Sequence, residues 1–345
     1  MEVIPSKCKN CGSELIFSPE KGCLVCKHCD TNYYLQNTNI DTVLVRQYDY
    51  NFHPNELNQK LQAYRCDMCG RVYYKSAGEH SKTCTNCGSS SSTMVTDNGY
   101  CADGIIPFKI DKQTALKELK KYLSKNGGIP KELKGSDAED ALVGEFVPVW
   151  NFSYNVYADY NASVGKVVKS SSGSYYNTTM PVFGDKYKRI NSLDECACTT
   201  DDDGFLELFD ENDYARIIPY APEYTYGYQV RAIDKDIHEY YNLVTKKAEN
   251  EYENYIRREI HSKYKDITDI HVESRVDDVF FNFTYIPIYT FTDTRKRNPK
   301  KYYVSGTTGK VASKANKLGK SLGRAIKLLI FVGVVAFILY LFFGR

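Results

Sequence analysis

Tryptophan occurs once, methionine four times and histidine six times in these 345 residues. The histidines, His28, His53, His80, His238, His261 and His271, are scattered, and no H-E-x-x-H helix gathers two of them on one face. A phosphate-cradling G-x-x-x-x-G-K-[ST] loop, a dinucleotide glycine fingerprint and a G-x-S-x-G elbow are also missing, which excludes a helicase motor and leaves an enzyme as the minority expectation. No charged-then-apolar leader opens the chain, because "MEVIPSKCKN" runs straight into cysteines. The bulk is therefore expected to stay on the side where it is made.

Acidic residues are absent from one long stretch. From Thr294 to Lys327 there are eleven Lys or Arg and no Asp or Glu, so the total of +2 hides an asymmetry. The preceding body carries 33 basic against all 43 acidic side chains, a net charge of about −10. Such a body is repelled by phosphate backbones, which disfavours nucleic acid as a partner. Long apolar runs are absent until "LLIFVGVVAFILYLFF", Leu328 to Phe343. Counted from Ala325, nineteen residues give a helix of roughly 28 Å, enough to span a bilayer core. The expectation is a C-terminal transmembrane anchor over 325–345. Lysines on its N-terminal flank place the chain as a single-pass protein with its bulk on the cytoplasmic face of a cell membrane.

What is abundant is cysteine, twelve in all. Cys8, Cys11, Cys26 and Cys29 form one tetrad, and Cys66, Cys69, Cys84 and Cys87 form another. Each is a C-x-x-C pair, a fourteen-residue gap and a second C-x-x-C pair. A C-x-x-C turn brings two sulfurs to one side, and two such knuckles make a closed four-thiolate Zn2+ site. Two structural zincs are expected. Cys23 offers an alternative register with Cys26, but that shortens the gap and breaks the repeat, so Cys23 reads as the spare thiol. His28 reads as an exposed loop residue, and Cys101, Cys196 and Cys198 as small buried hydrophobes. The ribbons carry ten basic and ten acidic side chains from Met1 to Cys101. The basic strip of a nucleic-acid reader is therefore missing, and Tyr33, Tyr34, Tyr73 and Tyr74 are expected to pack the small sheets.

Between the second ribbon and the anchor, I-I-P-[FY], a helix and [VI]-P-[VI]-[WY]-x-F occur twice. The helices are "KQTALKELKKYLSK", and a longer one whose Ile237, Tyr240, Tyr241, Val244, Ala248, Tyr255, Ile256 and Ile260 share the helical period. "GEFVPVWNFSYNVYADYNASVG" alternates as a hairpin would. Pro107, Pro148, Pro219 and Pro287 suit strand edges or bulges. Trp150 and Tyr289 hold matching core positions. "SSSGSYYNTTM" and "DECACTTDDDG" read as loops, the second with a solvated acidic run from Asp201 to Asp203. The fold class expected is α+β: two N-terminal zinc ribbons, a duplicated mixed body and a C-terminal transmembrane helix. Its divisions are ribbon 1 over 1–34, a linker over 35–62, ribbon 2 over 63–98, repeat halves over 99–210 and 211–310, a basic stalk over 311–324 and the anchor over 325–345. In the stalk, Lys314, Lys317, Lys320, Arg324 and Lys327 recur every three or four residues as one helical stripe suited to anionic lipid.

This order of parts, two "C-x-x-C-G…C-x-x-C" ribbons, "IIPFKIDKQTALKELKKYL", "FVPVWNFS", "YIPIY…YYVSGTTGKV" and a terminal apolar helix, resembles a family of bacterial membrane-anchored double zinc-ribbon proteins. Its members are labelled transcription factor IIB-type zinc ribbon proteins or, misleadingly, primosomal protein N′ or PriA-like helicases. The resemblance covers nearly the whole chain. It implies Cys26 and Cys29 as ligands, since the family's "G-x-L-x-C-x-x-C" has a non-ligand at the place of Cys23. It also implies a cytoplasmic protein partner, phage shock protein A-like or SPFH or virion-core-like, in an envelope-stress response. The expected function is thus a non-enzymatic, membrane-tethered adaptor, with a nucleic-acid-binding ribbon protein as the alternative.

Overall fold

The computed structural model describes residues 7–35, 43–52, 62–70, 72–75, 84, 89–95, 102–198, 204–233, 235–264, 266–295 and 300–313. Ribbon 1 holds β1 (Leu15–Ser18), β2 (Cys23–Cys26) and β3 (Asn32–Tyr33), and β4 (Arg46–Gln47) follows it. Ribbon 2 holds β5 (Gln62–Cys66), β6 (Val72–Lys75) and β7 (Ser92–Val95). The body comprises β8 (Gly104–Ile105), α1 (Lys112–Lys125), β9 (Val143–Lys169), β10 (Tyr175–Cys196), α2 (Glu211–Tyr214), β11 (Ile218–Pro219) and β12 (Gln229–Arg231). It continues with α3 (Tyr241–Lys263), β13 (Ile267–Asp293), β14 (Lys300–Ser305) and β15 (Val311–Ser313).

The long strands follow from their composition. β9 and β13 are rich in Val, Ile, Phe, Tyr and Thr, which suit a pleated surface. From Val143 to Trp150 every residue of β9 is buried. Beyond that, Phe152, Tyr154, Val156 and Ala158 are buried while the residues between them are half-exposed. β13 shows the reverse order, alternating first and then buried continuously from Phe283 to Phe291. The two strands pair antiparallel from Ile267↔Val164 to Thr290↔Val143, so their fully buried ends coincide. One core holds Phe146, Trp150, Phe152, Tyr154, Phe281, Phe283, Tyr285 and Tyr289 with the inner faces of α1 and α3. A second holds Val147, Val149, Ile286, Ile288, Ile106, Phe205 and Tyr303. Trp150 and Tyr289 lie in the core as expected, and the indole N–H of Trp150 donates to Lys235 O at 3.2 Å.

Three features of the expected fold class are corrected. Of the described residues, 44% are strand and 21% helix, so the body is mainly β. The alternating stretch in β9 is not a hairpin; it is one 27-residue strand whose partner, β10, returns through the turn Ser170–Ser174. The repeated motifs do not build two consecutive α+β units, because β9 of one half and β13 of the other are the paired centre of a single 12-stranded sheet. Even the two I-I-P segments pair with each other, Ile105 with Ile218. The physical reason is burial: each long strand is apolar on both faces at one end and needs a neighbour on each edge to satisfy its backbone.

The membrane placement is corrected as well. Among the described residues no helix is long and apolar enough to cross a membrane. The longest, α3, is amphipathic, burying Val244, Ala248, Tyr252, Ile256 and Ile260 while Lys246, Lys247, Glu249, Glu251, Arg257 and Arg258 line its other sides. Tyr252 takes the inward place expected of Tyr255, which is 39% exposed. The segment read as the anchor, and the stalk residues Lys314, Lys317, Lys320, Arg324 and Lys327, lie outside the described residues.

Both ribbons are built into the body. β12 pairs antiparallel with β6 and parallel with β9, so the sheet of ribbon 2 continues the body sheet through β12. Ribbon 1 docks differently: the Phe17 N–H donates to Tyr226 O at 2.9 Å, and its ring meets Tyr224 edge-on at 5.1 Å. Gly227 (φ +92°) lets the chain approach there, since a Cβ would sit 3.0 Å from Ile16 Cβ. The segment expected as a linker is also held, β4 pairing with β13 at Phe280 and Phe281 and Tyr48 stacking on Tyr241 at 4.1 Å.

Where β12 joins β9, a charge pair is buried. Arg231 donates to both carboxylate oxygens of Glu145, 2.6 Å each, and the Thr290 hydroxyl donates to the same carboxylate. Burial disfavours the Arg231 cation, but Glu145 outweighs it and holds the guanidinium well above its ordinary pKa. Replacing Arg231 by Leu alone strands a buried carboxylate, and the expected cost is about 3–5 kcal/mol. The double change Arg231→Leu, Glu145→Leu is expected to cost much less; urea unfolding of both variants measures the difference. A second prediction concerns α3, which Glu259 ties to β10 through Lys186 while also pairing with Lys263. These ammoniums hold the Glu259 pKa below its ordinary value of 4.5. The resulting stabilisation is complete above that ordinary value and is lost as pH falls through the lowered one. Amide exchange in α3 should accelerate over that window in the wild type and show no such step in Glu259→Gln.

Candidate metal centres

Each knuckle is a short turn closed by its own backbone. Gly12 N–H donates to Cys8 O at 2.8 Å, Asp30 N–H to Cys26 O at 2.8 Å and Gly70 N–H to Cys66 O at 2.9 Å. The donor always stands four residues after the first cysteine and has positive φ, 75°, 55° and 73° respectively. Glycine adopts that conformation without a steric penalty, which explains C-x-x-C-G at two of the three knuckles; Asp is among the few other residues that tolerate it.

The turns bring four sulfurs together in ribbon 1. The Sγ atoms of Cys8, Cys11, Cys26 and Cys29 all lie within 4.8 Å of one another, with Cys8–Cys29 at 3.5 Å and Cys11–Cys26 at 3.4 Å. A tetrahedral ion with metal–sulfur bonds of about 2.3 Å requires sulfurs about 3.8 Å apart, so the cluster fits a metal ion. In ribbon 2, Cys66, Cys69 and Cys84 form the same kind of group, with Cys69–Cys84 at 3.7 Å. Cys87, expected as its fourth ligand, lies outside the described residues. Both groups can therefore hold a metal ion.

The thiols of ribbon 1 differ in their readiness to ionise. The Tyr33 hydroxyl, 3.3 Å from Cys8 Sγ, draws that thiol down to about 6 with help from the backbone N–H groups of Asn10 and Cys11. Contacts with Ser13 lower Cys11 as well. Burial acts the other way on Cys26 and pushes it up to about 11. A cation at the centre supplies the charge that burial at Cys26 lacks, so metal uptake should release protons. Tyr33 is a contributor that sequence reasoning placed only in sheet packing; its position four residues after Cys29 was the available signal.

The remaining candidates separate cleanly. Cys23 is fully buried in β2, paired with Ser18, and is not a member of the ligand group. His28 is exposed. Tyr34 is exposed too, whereas Tyr33 and Tyr73 pack as expected. Cys196 and Cys198 are buried in the second core with sulfurs 3.2 Å apart. Cys101 and Asp201 to Asp203 lie outside the described residues.

The chain is similar to the uncharacterized protein YdjG of Bacillus subtilis (strain 168), 26% identical over 321 residues that cover 90% of each chain. No family model matches the chain. No solved structure matches it either.

The two registers of ribbon 1 are separable by metal content. Cys26→Ser should lower bound divalent metal by one equivalent per chain relative to wild type, as read by plasma mass spectrometry. Cys23→Ser should leave the metal content unchanged.

Proposed function

We propose that this chain is a non-enzymatic zinc-ribbon adaptor that docks a protein partner through ribbon 2. The observation that carries this is the continuity of β6 with β12, which makes ribbon 2 a rigid extension of the body sheet. On that extension Met68 and Met94 are 75% and 61% exposed, the first in the knuckle and the second on the terminal strand β7. Flexible, polarizable methionines suit a protein-contacting surface. Zinc is the ion proposed, because all-thiolate tetrads at this spacing select it and leave no open coordination position for a substrate or activated water. The resemblance to double zinc-ribbon proteins points the same way. Ribbons whose acidic and basic side chains balance lack the electrostatic footprint that a nucleic-acid reader needs.

The test is a crosslinked pull-down with the full chain, treated with nuclease throughout. A protein retained by wild type should be lost from Cys66→Ser, Cys69→Ser, and also from Met68→Ser, Met94→Ser, which keeps its metal. Binding that disappears on nuclease treatment, or that survives in both variants, would overturn the adaptor assignment.

A further inference from the structure

Beyond the ends that are buried on both sides, β10, β9 and β13 continue as a three-stranded arm. α3 covers one face, where Ala158, Ala162 and Val272 are buried. Among the described residues the opposite face is open, and its rows can be read across the strands from the register. Tyr187, Tyr157 and Arg275 form one row, Asp185, Asp159 and Glu273 the next, and Phe183, Asn161 and His271 the third. Phe183 is 79% exposed and Tyr187 60%, and an open recess of 380 Å³ is lined by residues of the second and third rows.

The middle row runs against sheet energetics, since like charges directly opposite one another destabilise a sheet. Asp159 accepts a hydrogen bond from the Tyr157 hydroxyl at 2.9 Å, and Arg275 is spent over the Tyr157 ring at 4.3 Å and on Asp277 at 3.1 Å. Among the described residues, the carboxylates of Asp185 and Glu273 have no hydrogen bond or salt bridge. Three carboxylates between two rows that bear exposed aromatic rings are matched to cationic side chains, which pair with the oxygens and stack on the rings.

The chain itself supplies such side chains. We infer that the open face of the arm docks the basic segment Lys314 to Lys327 of a second copy of this chain, the two copies exchanging segments about a two-fold axis. The charges are complementary, an acid-free basic stretch against a body of about −10. The densities are compatible: five cations fall within the fourteen residues from Lys314 to Lys327, against three carboxylates on neighbouring strands about 4.8 Å apart.

Reach decides between the chain's own segment and a neighbour's. Ser313 pairs with Tyr302, and Tyr302 with Phe291, so the described chain ends 18 residues along β13 from Glu273. That is about 60 Å along the strand at about 3.4 Å per residue. The fourteen residues from Lys314 to Lys327 span at most about 50 Å when fully extended. To lie across its own row the stripe would have to be centred there, but its middle residue, Lys320, is seven residues beyond Ser313 and reaches at most about 25 Å, whereas reciprocal exchange gives two copies of the contact and closes the assembly as a dimer. This dimerisation is separate from partner docking at ribbon 2 and stands or falls independently of it.

The experiment is sedimentation velocity of the purified full chain at about 50 mM and 300 mM salt, with two variants. One neutralises the face (Asp159→Asn, Asp185→Asn, Glu273→Gln), and the other neutralises the segment (Lys314→Gln, Lys317→Gln, Lys320→Gln, Arg324→Gln, Lys327→Gln). Wild type should dimerise at low salt and dissociate at high salt, and each variant alone should associate at least tenfold more weakly. An equimolar mixture of the two variants should recover a heterodimer, because it retains one intact contact. Circular dichroism matching wild type confirms that both variants fold, and a second face variant, Asp185→Lys alone, replaces the triple change if that one does not. Face variants that associate as tightly as wild type, or a mixture with no heterodimer, would sink the proposal.

Discussion

β9 and β13 pair along almost their whole length, and nearly every other part of the described structure is attached to an edge of one of them. On the outer edge of β13 stand β4, β8 and β14; on the outer edge of β9 stand β12 and β10. The constraint is the backbone. Two strands buried on both faces cannot leave N–H and C=O groups unpaired, so each short segment that reaches the sheet fills a stretch of edge that would otherwise be stranded. Glu145 and Arg231 lie where this demand is strictest, on the junction of β9 with β12. Their pairing balances two opposite charges in a place that is buried from solvent.

The thiolate clusters inherit their mechanical role from that arrangement. A zinc ribbon alone is a small module whose fold depends on its ion. Here ribbon 2 shares a continuous hydrogen-bonded ladder with the body, and β12 carries Val230 and Arg231 of the body's interior opposite Tyr74 and Tyr73 of the ribbon. Order at the second thiolate cluster and order at the buried charge pair are therefore coupled through three residues of β12. Ribbon 1 is attached by a backbone hydrogen bond and aromatic contacts around Tyr224 to Tyr228, not by sheet continuity. The two ribbons repeat in sequence but are different joints in three dimensions.

Much of the site was legible because its rules are local. C-x-x-C spacing and the glycine after it encode a turn that needs positive φ, so Cys8, Cys11, Cys26 and Cys29 converge as the repeat implied. Cys23 falls outside because it stands three residues before Cys26 on the same strand, and an odd spacing puts the two side chains on opposite faces. α1 was legible from its apolar period, and the structure adds its cap, Asp111, which accepts from Thr114 N–H. Fold class was less legible. Matching strand signatures around Pro148 and Pro287 suggested two successive units, yet similar apolar strands also pair well with each other, and the motif does not distinguish the cases. Tyr252 and Tyr255 illustrate the same limit on a smaller scale. Both lie near the apolar stripe of α3, and the packing of that helix on β13 and β9 buries Tyr252 and leaves Tyr255 partly exposed.

By itself the sequence determined what depends on neighbours in the chain: the thiolate clusters, the helix α1, the alternation along the long strands and the separation of an acidic body from a basic, acid-free stretch. These follow from turn geometry, side-chain period and composition, none of which needs distant contacts. Tertiary structure alone decided that β9 and β13 are partners, that β12 fuses ribbon 2 to the body and that Asp185, Asp159 and Glu273 stand in one row. Each of these is a register between residues tens to hundreds of positions apart. Register is set by burying both strands' apolar faces at once, an energy that belongs to the pair and is written in neither segment alone.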